Sequence, residues 1–316
     1  MRLLYLGTPA DAVPPLHALH AAGHDIALVV TQPDRRRGRG TDLVPSPVKQ
    51  AALELGLPVV TPERSREILD DVVAANCELG VVVAFGQILP PALLEAVPHG
   101  FVNVHFSLLP RWRGAAPVER AMLAGDAETG VCIMRLEEGL DTGPVFARTE
   151  TPIAPGETAG ELHHRLVALG TELLVETLPL VTQVTPFPQE GEPTSATKLT
   201  VEEFHLDWSR PAPELELVVR AGNPRPGAFT SDRGRRLKIW AARAHAMPAG
   251  ADPGTVMVAP HSSPQVATGK GVLELVEVQP EGKARMSADA WLAGRRHAPE
   301  PLGEALGEPL GEPLGS

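Results

Sequence analysis

Five short apolar runs separated by helix-length segments fill the first third of this chain. That rhythm restricts its fold more than any other feature. Residues 2–6, 26–30, 57–60, 79–83 and 101–105 are rich in Leu, Val and Ile, with turn-forming Gly, Pro or Asn near their ends. Runs that are apolar on both faces predict strands covered on both sides, the pattern of a parallel sheet between helices. Helices are expected near residues 47–55, 65–75 and 116–124, and after the first strand, where Val13, Leu16 and Leu19 have helical spacing. Residues 130–135 and 144–149 read as edge strands. Residues 158–178 read as a long helix with Leu162, Leu166, Leu169, Leu173 and Leu174 at helical spacing, followed by Pro179. The class is α/β, a Rossmann-like and mostly parallel sheet.

The fifth run carries the chemistry. In Phe101–His105 apolar and polar residues alternate, so Val102, Val104 and Phe106 share one strand face while Asn103 and His105 share the other. Ser107 and Pro110 end the strand and put His105 near its C-terminal end, where open α/β sheets bind ligands. An Asn and a His there suit transfer of a one-carbon acyl group to an amine. The amide donates to the oxygen that gathers charge in a tetrahedral intermediate, and the imidazole carries protons near neutral pH. Asp141, in the turn Gly139–Gly143, can orient such an imidazole. Spacing alone also fits a hydrogen-bonded strand pair and a plain turn aspartate.

At 316 residues and 43% apolar content there is room for two domains. No run approaches the roughly 20 apolar residues of a membrane span. The N-terminal stretch is broken by Gly7 and Pro9 too early for a signal peptide. Cys77 and Cys132 stand far apart without metal-ligand spacing, so buried free thiols, a reducing cytoplasm and no metal are expected. Leu6–Pro9 lacks the glycine pattern of nicotinamide sites, and no P-loop occurs. One Tyr and seven Phe exclude base stacking as a broad means of holding nucleic acid. The net charge of -11 argues at first against an RNA partner, but its distribution matters more. Residues 205–298 hold 13 Lys+Arg against 9 Asp+Glu, whereas residues 1–204 hold 15 against 26. A mildly basic C-terminal domain suits phosphate contacts, and it equally suits a solvated face.

Pro, Glu, Gly, Ser and Thr dominate residues 186–197, the composition of a linker. These readings place a first domain at 1–189, a linker at 190–207 and a second domain at 208–298. In the second, a helix at 212–221 precedes apolar runs at 236–240, 254–258, 265–268 and 271–278. Frequent Gly and Pro between them predict a small β-barrel. Residues 299–316 are a Pro-Leu-Gly-Glu repeat that builds no core, and disorder is expected. Asp34–Gly40 opens a connection of about 16 residues, longer than most between a strand and a helix. Arg35, Arg36, Arg37 and Arg39, with Gly38 and Gly40, can approach phosphates closely. A mobile, solubilising loop is the plainer reading.

Asn103–His105 running into Ser107–Pro110, then Arg111–Pro117, Gly125–Val131 and Gly139–Gly143, resembles the folate-dependent formyltransferases. The likeness is greatest to those whose acceptor is methionine carried on initiator tRNA. Leu6–Pro9, Thr31–Asp34, Gly38–Gly40, Pro45–Lys49 and Val83–Pro90 extend it over nearly the whole chain up to about His297. The resemblance implies that Asn103, His105 and Asp141 are the catalytic trio. It implies that 10-formyltetrahydrofolate, the formyl donor, lies beside Phe85, Gly86, Ile88 and Leu89 and beside Ser107, Leu108, Leu109 and Pro110. It assigns Arg35, Arg36, Arg37, Arg39, Lys49, Arg111 and Arg113 to the methionyl initiator tRNA, with an OB-like second domain helping. A cytoplasmic monomer follows, with neither metal nor membrane. A formyl acceptor that is a nucleotide or an amino sugar is the nearest alternative, and a non-catalytic RNA-binding protein the more distant one. The chain departs from the family where Phe106 replaces the usual Gly and where Asn223–Pro226 carries Arg225 in place of an aromatic residue.

Overall fold

The computed structural model describes residues 1–36, 43–258, 263–294 and 301–303. The chain divides into two compact units. The first comprises Met1–Val118, Glu128–Pro152 and Leu162–Thr197. The second takes in Glu119–Ala127, Ile153–Glu161 and the described residues from Lys198 onward.

The strands of the first unit are β1 (Arg2–Gly7), β2 (Asp25–Val30), β3 (Arg35–Arg36), β4 (Leu43–Val44), β5 (Val59–Val60), β6 (Leu79–Val83), β7 (Phe101–His105), β8 (Arg113–Gly114), β9 (Glu128–Arg135), β10 (Val145–Pro152) and β11 (Ser195–Ala196). Seven of them form one sheet in the order β10-β9-β7-β6-β1-β2-β5. β5, β2, β1, β6 and β7 run parallel. β9 pairs antiparallel with β7, and β10 pairs antiparallel with β9 at that edge. The predicted class and all seven predicted strands are present. The third is shorter than its apolar run, because Pro58 has no N–H for the ladder and contributes only its carbonyl, to Val29 N–H at 2.8 Å.

Burial explains the strand composition. Leu3, Leu4, Tyr5 and Leu6 of β1 are wholly buried, so both faces of that strand are covered. The Tyr5 hydroxyl meets the carbonyl of Ala12 at 2.5 Å, satisfying the one polar atom of that side chain. Gly80 is required by its neighbour strand, since a Cβ there would stand 2.1 Å from the ring of Phe101. Helices α1 (Val13–Ala21), α2 (Pro47–Glu54), α3 (Leu69–Ala75), α4 (Pro91–Glu95), α5 (Pro117–Leu123) and α6 (Ala159–Thr177) complete the N-terminal pattern. Ser46 caps α2 by accepting from Lys49 N–H at 3.0 Å, with Pro47 in the first turn. The helix expected at 65–75 is a 3-10 turn, Ser65–Ile68, followed by α3. Gly170 of α6 lies against Val104, Val131 and Phe106, so Val104 and Phe106 share the helix-covered face of β7. Phe106 is buried there, its ring 5.2 Å from that of His163. The bulky departure at 106 packs under α6, on the face away from His105.

The second unit holds α7 (Ala212–Ala221), β12 (Ala228–Asp232), β13 (Arg235–His245), β14 (Val256–Met257), β15 (Gln265–Ala267), β16 (Val272–Pro280), β17 (Met286–Ser287) and α8 (Ala288–Ala293). Its sheet is antiparallel in the order β12-β13-β16-β15-β14, with β17 on β16. Among the described residues no pairing joins β12 to β14, so the ladder is open at both ends. β12 went unread in the sequence because Ala228–Asp232 lacks a strong alternation, yet Ala228 to Ser231 are all buried.

One expectation changes. The disorder expected from residue 299 is corrected at 301–303. Leu302 is 4% exposed, its N–H donates to Gly254 O at 2.8 Å, and Gly303 N–H donates to Ser231 O at 3.0 Å. The rest of the repeat lies outside the described residues. The connection expected at 190–207 is hydrogen-bonded and packed along part of its length. Ser195–Ala196 pairs in parallel with β8, and Phe204 and Leu206 are buried in the second unit. Among the described residues no helix is long and apolar enough to cross a membrane.

Candidate active site

The chain passes from β1 to β2 and β5 on one side, then to β6 and β7 on the other, so strand order reverses between β1 and β6. The C-terminal ends of strands at such a point bound a ligand crevice. Three segments meet there on one carbonyl: Phe85 O accepts from Thr8 Oγ1 at 3.1 Å and from Gln32 Nε2 at 2.9 Å. Ala84 has φ 46 and Gly86 φ 80. The positive φ favours glycine at 86, and a Cβ there would come within 2.8 Å of Gln32 Nε2 and displace the end of that side chain.

Asn103 and His105 project from β7 on the face opposite α6, as strand alternation requires. Their cross-strand partners on β9 are Met134 and Cys132, which with Leu109 and Val145 form a small apolar cluster beside the pair. Burial pushes the Cys132 thiol up to about 11, so it remains an uncharged packing group. His105 is 5% exposed. Its Nε2 lies 2.9 Å from the carbonyl oxygen of Trp112. A carbonyl only accepts, so Nε2 carries the hydrogen and the neutral ring presents its lone pair on Nδ1. That nitrogen faces Asp141 Oδ2 at 3.7 Å, an ion-pair distance and too long for a hydrogen bond. Asp141 Oδ2 in turn accepts from Gly114 N–H at 2.8 Å.

Both residues that flank the imidazole have left-handed backbones, Trp112 at φ 64 and Asp141 at φ 51. Such conformations cost on the order of 1–3 kcal/mol each and persist only where the surroundings over-determine them. Here they do. Trp112 N–H donates to Thr194 Oγ1 at 2.8 Å. Gln189 Nε2 donates to the carbonyls of Asp141 and Gly143, both at 2.8 Å.

The structure brings Asn103, His105 and Asp141 together and sorts the other expected site residues. Ile88 is 79% exposed beside the crevice, Leu108 is half-buried, and Gly86 offers exposed backbone. Phe85, Leu89, Leu109 and Pro110 are buried packing residues. Ser107 is fully buried and its hydroxyl donates to Arg111 O at 2.6 Å, closing the loop after β7. Arg111 is exposed with its guanidinium 4.5 Å from the Trp112 ring centroid. Arg113 grips Gln189 Oε1 through Nη2 at 2.6 Å and Nε at 3.0 Å, the geometry of a loop clamp. Lys49 is engaged by both carboxylate oxygens of Asp34 at 2.8 Å, at the base of the arginine loop. Arg35 and Arg36 are exposed on β3, and Arg37 and Arg39 lie outside the described residues. Sequence reasoning assigned no role to Thr8, Gln32, Trp112, Gln189 or Thr194. The first three fall inside recognisable motifs, whereas nothing in the Pro- and Glu-rich stretch marks the last two. Among the described residues no group of three or more His, Cys, Asp or Glu could hold a metal ion.

An amide, an imidazole and a carboxylate thus stand near the C-terminal end of β7, a set whose chemistry suits acyl-group transfer to an amine. Comparison with known proteins makes the class specific: the family model for formyl transferases matches residues 1–178, and that for their C-terminal domain matches residues 198–296. The chain belongs to the formyl transferase family. It is 49% identical over 302 residues to a methionyl-tRNA formyltransferase of Symbiobacterium thermophilum, covering 93% of this chain and 92% of that one. It is 47% identical over 301 residues to the methionyl-tRNA formyltransferase of Thermus thermophilus, covering 95% and 98%. Among solved structures, an N-formyltransferase from Helicobacter canadensis with folinic acid and dTDP-3-aminofucose aligns with a TM-score of 0.65 at 17% identity, over 87% of this chain and 99% of that one. HypX from Aquifex aeolicus with tetrahydrofolic acid aligns with a TM-score of 0.64 at 16% identity, and this chain spans 47% of its length. The last two show a shared fold.

Proposed function

We propose that this protein transfers the formyl group of 10-formyltetrahydrofolate to the α-amino group of methionine esterified to initiator tRNA. The observation that carries the reading is the 46–49% identity to relatives named methionyl-tRNA formyltransferase across more than nine-tenths of the chain. The face made by Asn103, His105 and Asp141 supplies the chemistry. Model α-amino groups titrate at roughly 7.7–8.0 and an ester draws this lower, so the amine is substantially neutral and attacks without prior activation. A C–N bond forms to the formyl carbon, and the Asn103 amide donates to the oxyanion. The Nε2 of His105 is held as a donor by Trp112, so the proton leaving the amine is taken on Nδ1. Asp141 stabilises the imidazolium, as the carboxylate does in other triads. The C–N bond to the donor then breaks and the proton returns to the departing nitrogen. Ile88, Leu108 and the Gly86 backbone are the accessible surface for the folate, and Ser107 serves by shaping the loop after β7.

The tRNA would lie along Arg35, Arg36, Arg37 and Arg39 and past the exposed Arg111. The second unit adds cations stacked on aromatic rings, with Arg236 over Phe229 at 4.3 Å and Arg285 over Trp240 at 3.6 Å. Burial, then Arg236 and Arg285 beside it, lower the Lys238 ammonium, so phosphate oxygens would be welcome there. We read the protein as working in the cytoplasm as a monomer.

The test is formyl transfer from 10-formyltetrahydrofolate to methionine on initiator tRNA and on elongator tRNA. Transfer to the initiator is expected to dominate. Absence of transfer to either, or preference for a nucleotide-linked amino sugar, would refute the reading. Arg39→Ala should impair the initiator reaction far more than folate binding. An equal loss of both would remove the arginine loop from the tRNA site.

A further inference from the structure

The last stretch of the first unit, residues 187–196, touches the candidate active site at four successive points. Phe187 exchanges both backbone hydrogen bonds with Val145, at 2.8 and 3.0 Å, where β10 begins. Gln189 accepts from Arg113 and donates to the carbonyls of Asp141 and Gly143. Thr194 accepts Trp112 N–H on its hydroxyl and Arg113 N–H on its carbonyl, at 2.8 and 2.9 Å. Ala196 O accepts from the N–H groups of Ala115 and Ala116, at 2.8 and 3.2 Å. Gly114 keeps this approach open. Its φ is 127, and a Cβ there would stand 2.6 Å from Ala196 O.

We propose that residues 187–196 are a strap that holds the catalytic geometry, with Gln189 and Thr194 as positioning residues. This rests on the formyl-transfer reading above. The argument begins at two strained residues. Trp112 is the hydrogen-bond partner of His105 Nε2, and Asp141 is the charge that faces Nδ1. Each has a positive φ, and each is held there by a strap side chain acting on its backbone. Without the Thr194 hydroxyl, Trp112 N–H loses its acceptor and its carbonyl is free to swing from His105. Without the Gln189 amide, the Asp141 carbonyl loses its donor and the carboxylate drifts from Nδ1. Strain of this kind at a site is a pointer to function when the surroundings enforce it.

The test uses the full-length protein and four variants: Thr194→Val, Thr194→Ser, Gln189→Ala and Gln189→Glu. Steady-state transfer from 10-formyltetrahydrofolate to charged initiator tRNA is read as separate kcat and KM values, beside a thermal melt. Thr194→Val keeps the side-chain shape and removes the acceptor. Gln189→Glu keeps a partner for Arg113 and removes both donors. Displacing a catalytic group by about 1 Å costs about 100-fold, so both are expected to lower kcat by about 10- to 100-fold. KM for each substrate should stay within about threefold of the parent value, and folding should be intact. Thr194→Ser should restore most of the activity, and Gln189→Ala should match Gln189→Glu. Parental kcat in Thr194→Val and Gln189→Glu would overturn the proposal, as would a loss that Thr194→Ser fails to rescue. If the parent protein itself transfers no formyl group, the formyl-transfer reading is what fails.

Discussion

Replacing Asp141 by Asn deletes one charge and leaves the shape of its loop in place. The carboxylate stands 3.7 Å from His105 Nδ1, with side-chain exposures of 12% and 6%. Unit charges at that separation attract by about 4.5 kcal/mol at an effective dielectric of about 20, and by about 1 kcal/mol in bulk water. The burial of both side chains places the pair nearer the first figure. At about 1.4 kcal/mol per factor of ten, kcat for formyl transfer should fall by about 100- to 1000-fold. The fold should be spared. The Asn oxygen still accepts from Gly114 N–H, and Gln189 still holds the carbonyls of Asp141 and Gly143. The assay is single-turnover transfer to charged initiator tRNA with saturating formyl donor, alongside thermal melts of both proteins. A kcat within about threefold of the parent would refute the view that an imidazolium forms on His105 during reaction. A loss tracking a drop in melting temperature would refute it equally.

Three further outcomes follow from the packing. Cys132, with its thiol pushed up to about 11 by burial, should resist alkylation at pH 8 in the folded protein and label quickly once unfolded; fast labelling of the native state would contradict its burial. Gly80→Ala forces a methyl against the Phe101 ring and should cost about 1–3 kcal/mol, read as a lower denaturant midpoint, whereas an unchanged midpoint would mean the ring yields freely. Leu302→Ala should cost about 2–5 kcal/mol in the second unit. Truncation after residue 298 should reproduce that loss and truncation after Gly303 should not; equal stability of both truncations would show that Leu302 contributes nothing.

Much of the first unit was legible because its strands are apolar on both faces, a demand that local composition expresses directly. Alternation in Phe101–His105 likewise placed Asn103 and His105 on one face and Phe106 on the other. The pairing of Asp141 with His105 was readable only as a turn motif, since nothing in a Gly-flanked aspartate says which imidazole it will face. The second unit was harder. β12 is built from Ala228, Phe229, Thr230, Ser231 and Asp232, whose burial comes from neighbours distant in the chain. The composition at 186–197 reads as a linker, and only the structure shows its hydrogen bonds to loops some 50 to 80 residues away in sequence.

From sequence alone came the α/β class and the strand that bears Asn103 and His105, which depend on periodicity that a short window of residues specifies. The formyl-transfer reading came from the resemblance of an ordered set of motifs along the chain. Tertiary structure decided which nitrogen of His105 is free, because Trp112 reaches it only through a left-handed turn secured by Thr194. It also decided that Arg113 clamps Gln189, that Lys49 pairs with Asp34, and that Leu302 belongs to a core. Each of these is a pairing between segments distant in sequence. The energy of such a contact resides in the meeting of two surfaces, and neither segment carries a local sign of it.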